Sequence, residues 1–244
     1  MSTRFLVSNE QEHADGLAAA RQALSAQRCI VLPTDTVYGI GADAFSAQGV
    51  AMLLAAKGRS RMMPPPVLIS QIATMDGLAR DVPDDARKLA EAFWPGALTL
   101  ILLAQPSLTW DLGETRGTVG LRVPNDQSAL DLLAVTGPLA VSSANRTGQP
   151  AATTADEAME QLGDSVDVYL DGGSRGADGQ EVLPSTIIDC TSEQLRVVRS
   201  GAIGIDELRV VVPQILDLGE EPAAAPADDS DSQQSDQDAA GQDA

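Results

Sequence analysis

The sequence predicts an α/β protein, a single domain built on one mixed β-sheet with covering helices. Short apolar runs of strand length alternate with segments whose apolar residues recur at helical spacing. The last runs before residue 200 follow one another without an intervening helical pattern, which favours a mixed sheet over an all-parallel one. No linker-like composition interrupts residues 1–210, so we expect one domain there.

The individual elements follow from these patterns in chain order. Nine runs are predicted as strands: FLVS, CIVLP, VLIS, LTLILLA, TVGLRVP, LAVSS, VDVYL, STIIDC and LRVVRS. Helices are predicted at about residues 10–27, 46–57, 84–93, 127–135 and 154–162. In the third helix, four apolar residues stand at i, i+3, i+4 and i+7 and define one buried stripe: Ala86, Leu89, Ala90 and Phe93.

The composition excludes several classes of catalytic site. The two cysteines, Cys29 and Cys190, lie far apart in apolar runs and offer neither a disulfide framework nor zinc spacing. The single histidine, His13, lies in a polar stretch, which argues against Ser-His-Asp, Cys-His and zinc hydrolase sites. The chemistry must therefore rely on Lys, Arg, Ser, Thr, Asn and Asp.

The N-terminal residues lack the apolar core of a signal peptide. No apolar run approaches the ~20 residues of a membrane span. We therefore expect a cytoplasmic protein with no membrane partner.

The formal net charge of −19 is unevenly distributed. Residues 219–244 contain eight acidic residues and no base, which leaves 27 acidic against 16 basic residues, or −11, for the remainder. This Ala-, Ser- and Gln-rich segment buries too little apolar surface to offset its ordering entropy, so residues 211–244 are predicted to form an acidic disordered tail. The acidic body lacks the basic excess of a general nucleic-acid binder, so no strong direct nucleic-acid binding is expected.

Three glycine- or hydroxyl-rich junctions are predicted at strand ends, where ligands gather in α/β sheets: residues 33–41 (PTDTVYGIG), 142–150 (SSANRTGQP) and 171–186. Ser143 and Asn145 in the second junction are either turn formers or hydrogen-bond donors to a ligand. The stretch GIGADA meets a loose dinucleotide-binding pattern, but PTDT separates it from the preceding strand and no acid follows at the required spacing.

Isolated cations form a second group of candidates. Lys57, Arg59 and Arg61 lie within five residues, either as the charged end of a helix with Gly58 as its terminating glycine, or as a polyphosphate-binding cluster. Arg122 and Arg199 lie inside predicted strands. Each is either on an exposed face beside an acidic side chain or in a polar pocket facing a ligand carboxylate or phosphate.

Seven motifs, in this order over about residues 5–208, resemble the YrdC-type L-threonylcarbamoyladenylate synthase family in its short, single-domain form. They are PTDTVYGIG, KGRSR, WPGALTL, TVGLRVPN, PLAVSSANRTGQPAATT, PSTIID and RSGAI. The resemblance implies a YrdC-like twisted mixed sheet with flanking helices and a nucleotidyltransferase. Its substrates are L-threonine, bicarbonate and ATP, and its products are threonylcarbamoyl-AMP and pyrophosphate. Partner transferase proteins then modify the tRNA adenosine next to the anticodon.

The resemblance also implies roles for individual residues. On the threonine side it places Thr36, Arg122, Ser143 and Ser185. On the ATP side it places Lys57, Arg59, Arg61, Thr118, Asn145, Thr153 and Arg199, with Lys57 and Arg59 as catalytic residues. Mg²⁺ is expected as an ion carried by ATP, without an assigned protein ligand, and no residue stands out as a general base.

The chain departs from the family pattern in three places. Asp126 replaces the histidine that commonly follows V-P-N, Pro64–Pro66 alter the loop after KGRSR, and the acidic tail stands in place of a second domain. Two other hypotheses remain open on the sequence alone. One is an RNA-binding protein of the same fold, and the other is a carbamoyl-transferring or acyl-adenylating relative that does not use threonine.

Overall fold

A computed structural model describes residues 2–176 and 182–222, and a mixed sheet of eleven strands lies at its centre. The strands are β1 (Thr3–Leu6), β2 (Ile30–Leu32), β3 (Gly39–Asp43), β4 (Val67–Leu68), β5 (Ala79–Arg80), β6 (Leu98–Ala104), β7 (Thr118–Arg122), β8 (Leu139–Ser143), β9 (Val168–Asp171), β10 (Thr186–Asp189) and β11 (Arg196–Arg199). Their order is β1-β9-β2-β3-β8-β4-β7-β6-β10-β11, and β5 pairs with β6 off this path. Parallel pairs such as β1–β9 occur beside antiparallel pairs such as β6–β7, so the predicted mixed sheet is confirmed.

Within the described residues, seven α-helices accompany the sheet: α1 (Glu10–Ser25), α2 (Ala47–Lys57), α3 (Met75–Leu78), α4 (Asp84–Phe93), α5 (Gln127–Thr136), α6 (Ala155–Leu162) and α7 (Ile205–Val211). The five predicted helices are all present, and side-chain caps explain several of their starts. Asn9, Ser46 and Thr154 each accept a backbone N–H in the first turn of α1, α2 and α6, respectively. Among the described helices, none combines the length and apolar character that crossing a membrane requires.

The sheet separates two apolar cores. Along β2, Ile30 and Leu32 belong to the core beneath α1 and α5, whereas Val31 between them belongs to the core beneath α2, α4, α6 and α7. Alternate side chains of a strand point to opposite faces, so the two cores lie on opposite sides of the sheet. This explains why β2 is a continuous apolar run.

Strand β3 was not predicted, because its sequence GIGAD reads as a loop. In the structure it pairs antiparallel with both β2 and β8. A Cβ atom at Gly39 would lie 2.5 Å from Val141 Cγ1, so this glycine permits close packing in the sheet interior. The glycines of this segment therefore serve strand packing and not a dinucleotide loop. The short elements β5, α3 and α7 were also not predicted.

The predicted domain end at residue 210 is too early. Val212, Ile215 and Leu216 are buried, and Leu216 exchanges backbone hydrogen bonds with the segment around β11, from Leu216 N to Leu195 O and from Val197 N to Leu216 O. Residues 211–222 therefore belong to the folded domain. Residues 223–244 lie outside the described part of the chain, and their disorder stays a prediction from composition.

Two truncations test this boundary. Ending the chain after Val211 removes three buried apolar side chains and should lower the free energy of unfolding by about 4 kcal/mol or more. Ending it after Pro222 should leave the melting temperature unchanged at physiological salt, where the Debye length is about 8 Å. Thermal unfolding of both variants beside the full chain measures this. A large loss of stability in the longer variant would contradict the predicted disorder of the acidic tail.

Candidate active site

A cavity of about 290 Å³ opens where the three predicted junctions meet. Hydroxyl and guanidinium groups form its polar wall: Thr34, Thr36, Tyr38, Arg59, Thr99, Thr115, Thr118, Arg122, Ser142, Ser143, Ser185 and Arg199. The apolar wall includes Val37, Pro64–Pro66, Leu68 and Leu112. Seven of the eleven predicted site residues line this cavity: Thr36, Arg59, Thr118, Arg122, Ser143, Ser185 and Arg199.

Arg122 ends β7 and is 6% exposed. Its Nε donates to Gly96 O at 2.9 Å, its Nη1 to Thr36 Oγ1 at 3.1 Å and its Nη2 to Asp35 Oδ1 at 2.6 Å. Burial lowers the pKa of the Arg122 guanidinium, and the neighbouring Asp35 carboxylate opposes that shift. Arg122 therefore does not lie on an exposed strand face. It has an acidic partner and also borders the cavity.

Arg59 follows the C-terminus of α2 and reaches the cavity beside β8. Its Nη1 donates to Ser142 Oγ at 2.8 Å. Its Nε is buried and has no hydrogen-bond partner among the described residues. Burial lowers the pKa of this guanidinium. A buried N–H group without an acceptor is costly, so Arg59 is held in this position at some expense of stability.

Arg199 ends β11 and contacts the third junction. Its Nε donates to Ser185 O at 3.1 Å and its Nη2 to Ser185 Oγ at 2.9 Å, while Ser185 Oγ also lies 2.9 Å from Thr99 Oγ1. Burial lowers the pKa of Arg199, and the positive charges of Arg122 and Arg59 lower it further. Arg59 and Arg122 therefore lie close enough to Arg199 for their positive charges to act on it, and such a cluster of cations suits a site that binds anions.

Lys57 and Asn145 lie behind the cavity wall and fix its shape. Lys57 is 3% exposed, and its Nζ donates to Ser143 O, to Asn145 O at 2.6 Å and to Asn145 Oδ1 at 3.3 Å. Asn145 Nδ2 donates to Arg146 O and Gln149 O. These contacts hold the turn that presents Ser142 and Ser143 to the cavity. Contact of Lys57 or Asn145 with a nucleotide stays a prediction.

The helix-end interpretation of KGRSR also describes a real feature. Helix α2 ends at Lys57, and Gly58 adopts a left-handed conformation with φ of 61°. The two interpretations of the cluster are therefore compatible, because Gly58 turns the chain so that Lys57 faces the turn behind the wall and Arg59 faces the cavity.

The buried Lys57 predicts a dependence of stability on pH. Burial, and then the charge of Arg59, lower its pKa from 10.5 to about 8. Between these two values the unfolded chain holds a proton that the folded chain has released, so this group makes the free energy of unfolding rise with pH. Below pH 8 the cost of the buried charge is fully present.

We expect Lys57→Met to flatten this rise, while Lys88→Met, at an exposed lysine, keeps it. Denaturant unfolding at intervals from pH 7.5 to 10.5 measures the slope. Equal slopes for the wild type and Lys57→Met would show that Lys57 does not titrate in this range.

Arg61 and Thr153, predicted on the ATP side, do not line the cavity in this structure. Arg61 is half exposed and pairs with Asp111 at 2.7 Å, in the loop that follows Trp110. Thr153 precedes α6, where its N and Oγ1 both donate to Glu157 Oε2. Local carboxylates satisfy both side chains, and their contact with a nucleotide stays a prediction.

Sequence reasoning missed three side chains around the cavity. Asp35 pairs with Arg122, and Ser142 binds Arg59; both stand inside motifs quoted for their neighbours. Arg175 was also missed: its Nη1 donates to Asp126 Oδ2 at 2.8 Å, and its guanidinium lies over the Tyr38 ring. Asp126 also caps α5 through Ala129 N, which gives this departure from the family pattern a structural role.

Comparisons with known proteins agree with the geometry. A family model described as Sua5_yciO_yrdC, telomere recombination, matches residues 22–201. A protein of Mycobacterium leprae described as a putative threonylcarbamoyl-AMP synthase is 48% identical over 219 residues, covering 88% of this chain and 98% of the relative. The threonylcarbamoyl-AMP synthase of Bacillus subtilis is 33% identical over 201 residues, covering 82% of this chain and 57% of its own length.

Solved structures show the same similarity. Pyrococcus abyssi Sua5 complexed with L-threonine has a TM-score of 0.78 at 29% identity, covering 93% of this chain and 66% of that chain. Escherichia coli YciO has a TM-score of 0.75 at 24% identity, covering 85% of this chain and 100% of that chain, and shares the fold. The chain thus spans nearly the whole Mycobacterium relative but little more than half of the Bacillus one.

Proposed function

The chain belongs to the Sua5/YciO/YrdC family, and from this premise we propose that it is an L-threonylcarbamoyladenylate synthase, that is, a threonylcarbamoyl-AMP synthase. It joins L-threonine, bicarbonate and ATP into threonylcarbamoyl-AMP and releases pyrophosphate and water. The observation that carries the proposal is the convergence of Arg59, Arg122 and Arg199 on one hydroxyl-lined cavity. Such a site suits a reaction between two anions, a carbamate and a nucleoside triphosphate.

Arg122, Thr36 and Ser185 form the threonine side of the proposed site. A planar guanidinium is suited to bind a carboxylate, and the Thr36 hydroxyl lies 3.1 Å from Arg122 Nη1. The buried Ser185 and Thr99 hydroxyls supply groups that can recognise the hydroxyl of threonine. The related Pyrococcus protein was solved in complex with L-threonine, which supports this choice of amino acid.

Arg59, Arg199 and Thr118 form the ATP side, and Ser143 stays assigned to the threonine side. Arg59 lines the cavity, and its guanidinium suits a contact with a phosphate or carbamate oxygen there. Lys57 and Asn145 contribute by holding the 143–145 turn and adding positive charge behind it. ATP brings Mg²⁺, which neutralises phosphate charge when bound. Among the described residues, no group of three or more His, Cys, Asp or Glu side chains forms a metal site.

The proposed chemistry uses positioning and charge neutralisation. Bicarbonate takes up a proton and loses water to give carbon dioxide. The threonine amine then forms a C–N bond to the carbon of carbon dioxide while one C–O π bond opens, which gives the carbamate. A carbamate oxygen then bonds to the α-phosphorus of ATP, and the bond from that phosphorus to the pyrophosphate oxygen breaks. The arginines hold the two anions together, which supplies the proximity and electrostatic stabilisation that the reaction needs. The released amine proton passes to substrate or water.

Two consequences extend beyond the cavity. The product is an activated acyl adenylate, so it supports transfer of the threonylcarbamoyl group by partner proteins to the tRNA adenosine next to the anticodon. Such a reaction belongs in the cytoplasm with ATP and tRNA.

The decisive experiment measures pyrophosphate release from ATP with bicarbonate and each of a panel of amino acids. We expect release with L-threonine and much less with serine, valine or no amino acid. Equal release across the panel would favour an acyl-adenylating relative. No release, together with salt-sensitive RNA retention on a filter, would favour the RNA-binding alternative.

A further inference from the structure

We infer that Asp35 is a positioning residue for the amino acid substrate, because it aligns the Arg122 guanidinium towards the cavity. This inference rests on the proposed function, since Arg122 is the group assigned there to the substrate carboxylate. The structure pairs Arg122 Nη2 with Asp35 Oδ1 at 2.6 Å, and the two side chains are only 8% and 15% exposed.

Three separate contacts fix the plane of the Arg122 guanidinium. Nε donates to the Gly96 carbonyl, Nη1 to the Thr36 hydroxyl and Nη2 to Asp35. Each acceptor takes one N–H, and a guanidinium has five, so two N–H groups are left for a ligand. Of the three contacts, Asp35 is the only one with a full opposite charge, so its loss should disturb the orientation of the fork most.

Asp35 is itself held in place. The same Oδ1 that pairs with Arg122 also accepts the backbone N–H of Asn125 at 2.9 Å. This carboxylate therefore joins the PTDT loop to the segment that follows β7, and the two walls of the threonine side keep a fixed separation. A binding residue held by such a network needs less ordering when its ligand arrives.

The distribution of charge around the cavity is a second reason to expect that Asp35 holds Arg122 in position. Arg59 contacts Ser142, and Arg199 contacts Ser185; in residues 2–176 and 182–222 neither forms an ion pair with a carboxylate. Without Asp35, Arg122 would face two other guanidinium groups with no adjacent anion, and the repulsion would favour its displacement. Asp35 thus keeps Arg122 in place before the substrate carboxylate enters.

The test is Asp35→Asn, assayed by threonine-dependent pyrophosphate release. The amide oxygen can still accept the Asn125 N–H, so the change removes charge and keeps the shape of the loop. We expect the KM for L-threonine to rise about tenfold, in the range measured for coupled neighbours, with kcat and the KM for ATP within about twofold of wild type. An unchanged threonine KM, or an equal rise in both KM values, would overturn the inference.

Asp126→Asn is the matched control. Asp126 pairs with Arg175 at 2.8 Å, and those side chains are 13% and 15% exposed, yet neither residue lines the cavity. Arg175 also lies beside the PTDT loop, since its Nη1 is 3.4 Å from Thr34 O. Loss of this ion pair should lower stability about as much as Asp35→Asn and leave the threonine KM within about twofold. A similar rise in threonine KM for both variants would show that Asp35 only supports the loop and has no specific effect on Arg122.

A double-mutant cycle with Arg122→Gln tests whether Asp35 acts through Arg122. In the Arg122→Gln background, Asp35→Asn should add less than about a twofold change in threonine KM. A full additional tenfold rise would show that Asp35 acts by another route. If Asp35→Asn does not fold, Asp35→Glu keeps the charge and shifts the carboxylate. It should raise the threonine KM about threefold, and wild-type kinetics in this variant would contradict the inference.

The same assay distinguishes a failure of the proposed function from a failure of the role of Asp35. If the wild-type protein releases no pyrophosphate with L-threonine, the proposed function fails before any variant is compared. If the wild type is active and the Asp35 variants show wild-type KM values, only the role of Asp35 fails.

Discussion

Arg122→Gln is expected to raise the KM for L-threonine by about two orders of magnitude, which corresponds to ~2–4 kcal/mol of lost transition-state binding. The physical reason is the loss of a buried, charged fork that Thr36, Gly96 and Asp35 already orient. Steady-state pyrophosphate release at varied L-threonine and saturating ATP measures the change. Arg122→Lys should also be impaired, because an ammonium group cannot reproduce the planar fork.

Stability has to be measured alongside these kinetics. Arg122→Ala leaves the Asp35 carboxylate without its cation, and breaking a buried pair in this way costs about 3 kcal/mol or more. Glutamine can still donate one N–H to Asp35, so Arg122→Gln should retain more of the folded protein. Unchanged threonine kinetics in folded Arg122→Gln would remove Arg122 from the threonine site.

Arg59→Met is expected to lower kcat/KM for ATP by about 100-fold or more, while the melting temperature stays the same or rises. The loss of activity follows from removing a charge-assisted contact to phosphate or carbamate, about 3 kcal/mol. Stability should not fall, because the buried Nε of Arg59 has no acceptor in the described structure. The positive charge of Arg59 lowers the pKa of both Lys57 and Arg199. Methionine at position 59 removes this unfavourable charge.

The combination of results distinguishes the two interpretations of this cluster. If Arg59 is a binding residue that is kept at the expense of stability, its replacement gives a variant that is inactive but at least as stable as the wild type. If Arg59→Met instead melts earlier and its folded fraction is fully active, Arg59 is only part of the end of α2. Arg87→Met provides a control, since Arg87 is a half-exposed arginine that pairs with Asp76 and does not line the cavity.

Local patterns were sufficient for most of the fold. The runs LTLILLA and LAVSS became β6 and β8, and the predicted helices at 84–93 and 127–135 agree with α4 and α5 to within one residue. In these segments the periodicity and the propensity favour the same element, and Asp126 also caps α5. Strand β3 could not be predicted in this way. Its glycines are poor strand formers, and only packing against Val141 gives them a place in the sheet.

Motif order was sufficient to place the chain in its family and to indicate seven residues that line one cavity. The partners of those residues depended on contacts across long stretches of the chain. Asp35 and Arg122 are 87 positions apart, and Lys57 and Asn145 are 88 positions apart. A single sequence contains no distance information over such separations.

The sequence by itself therefore determined the fold class and the types of side chain available for catalysis, because both follow from local pattern and composition, and the order of its motifs indicated the family by resemblance. The tertiary structure alone decided which cation reaches the cavity. Arg59 and Lys57 are two residues apart, but Gly58 turns the chain so that Arg59 faces the cavity and Lys57 is buried behind the 143–145 turn. It also decided that Arg122 has a carboxylate partner before any substrate binds. Burial and the positions of neighbouring charges set these outcomes, and both arise only when distant segments pack together.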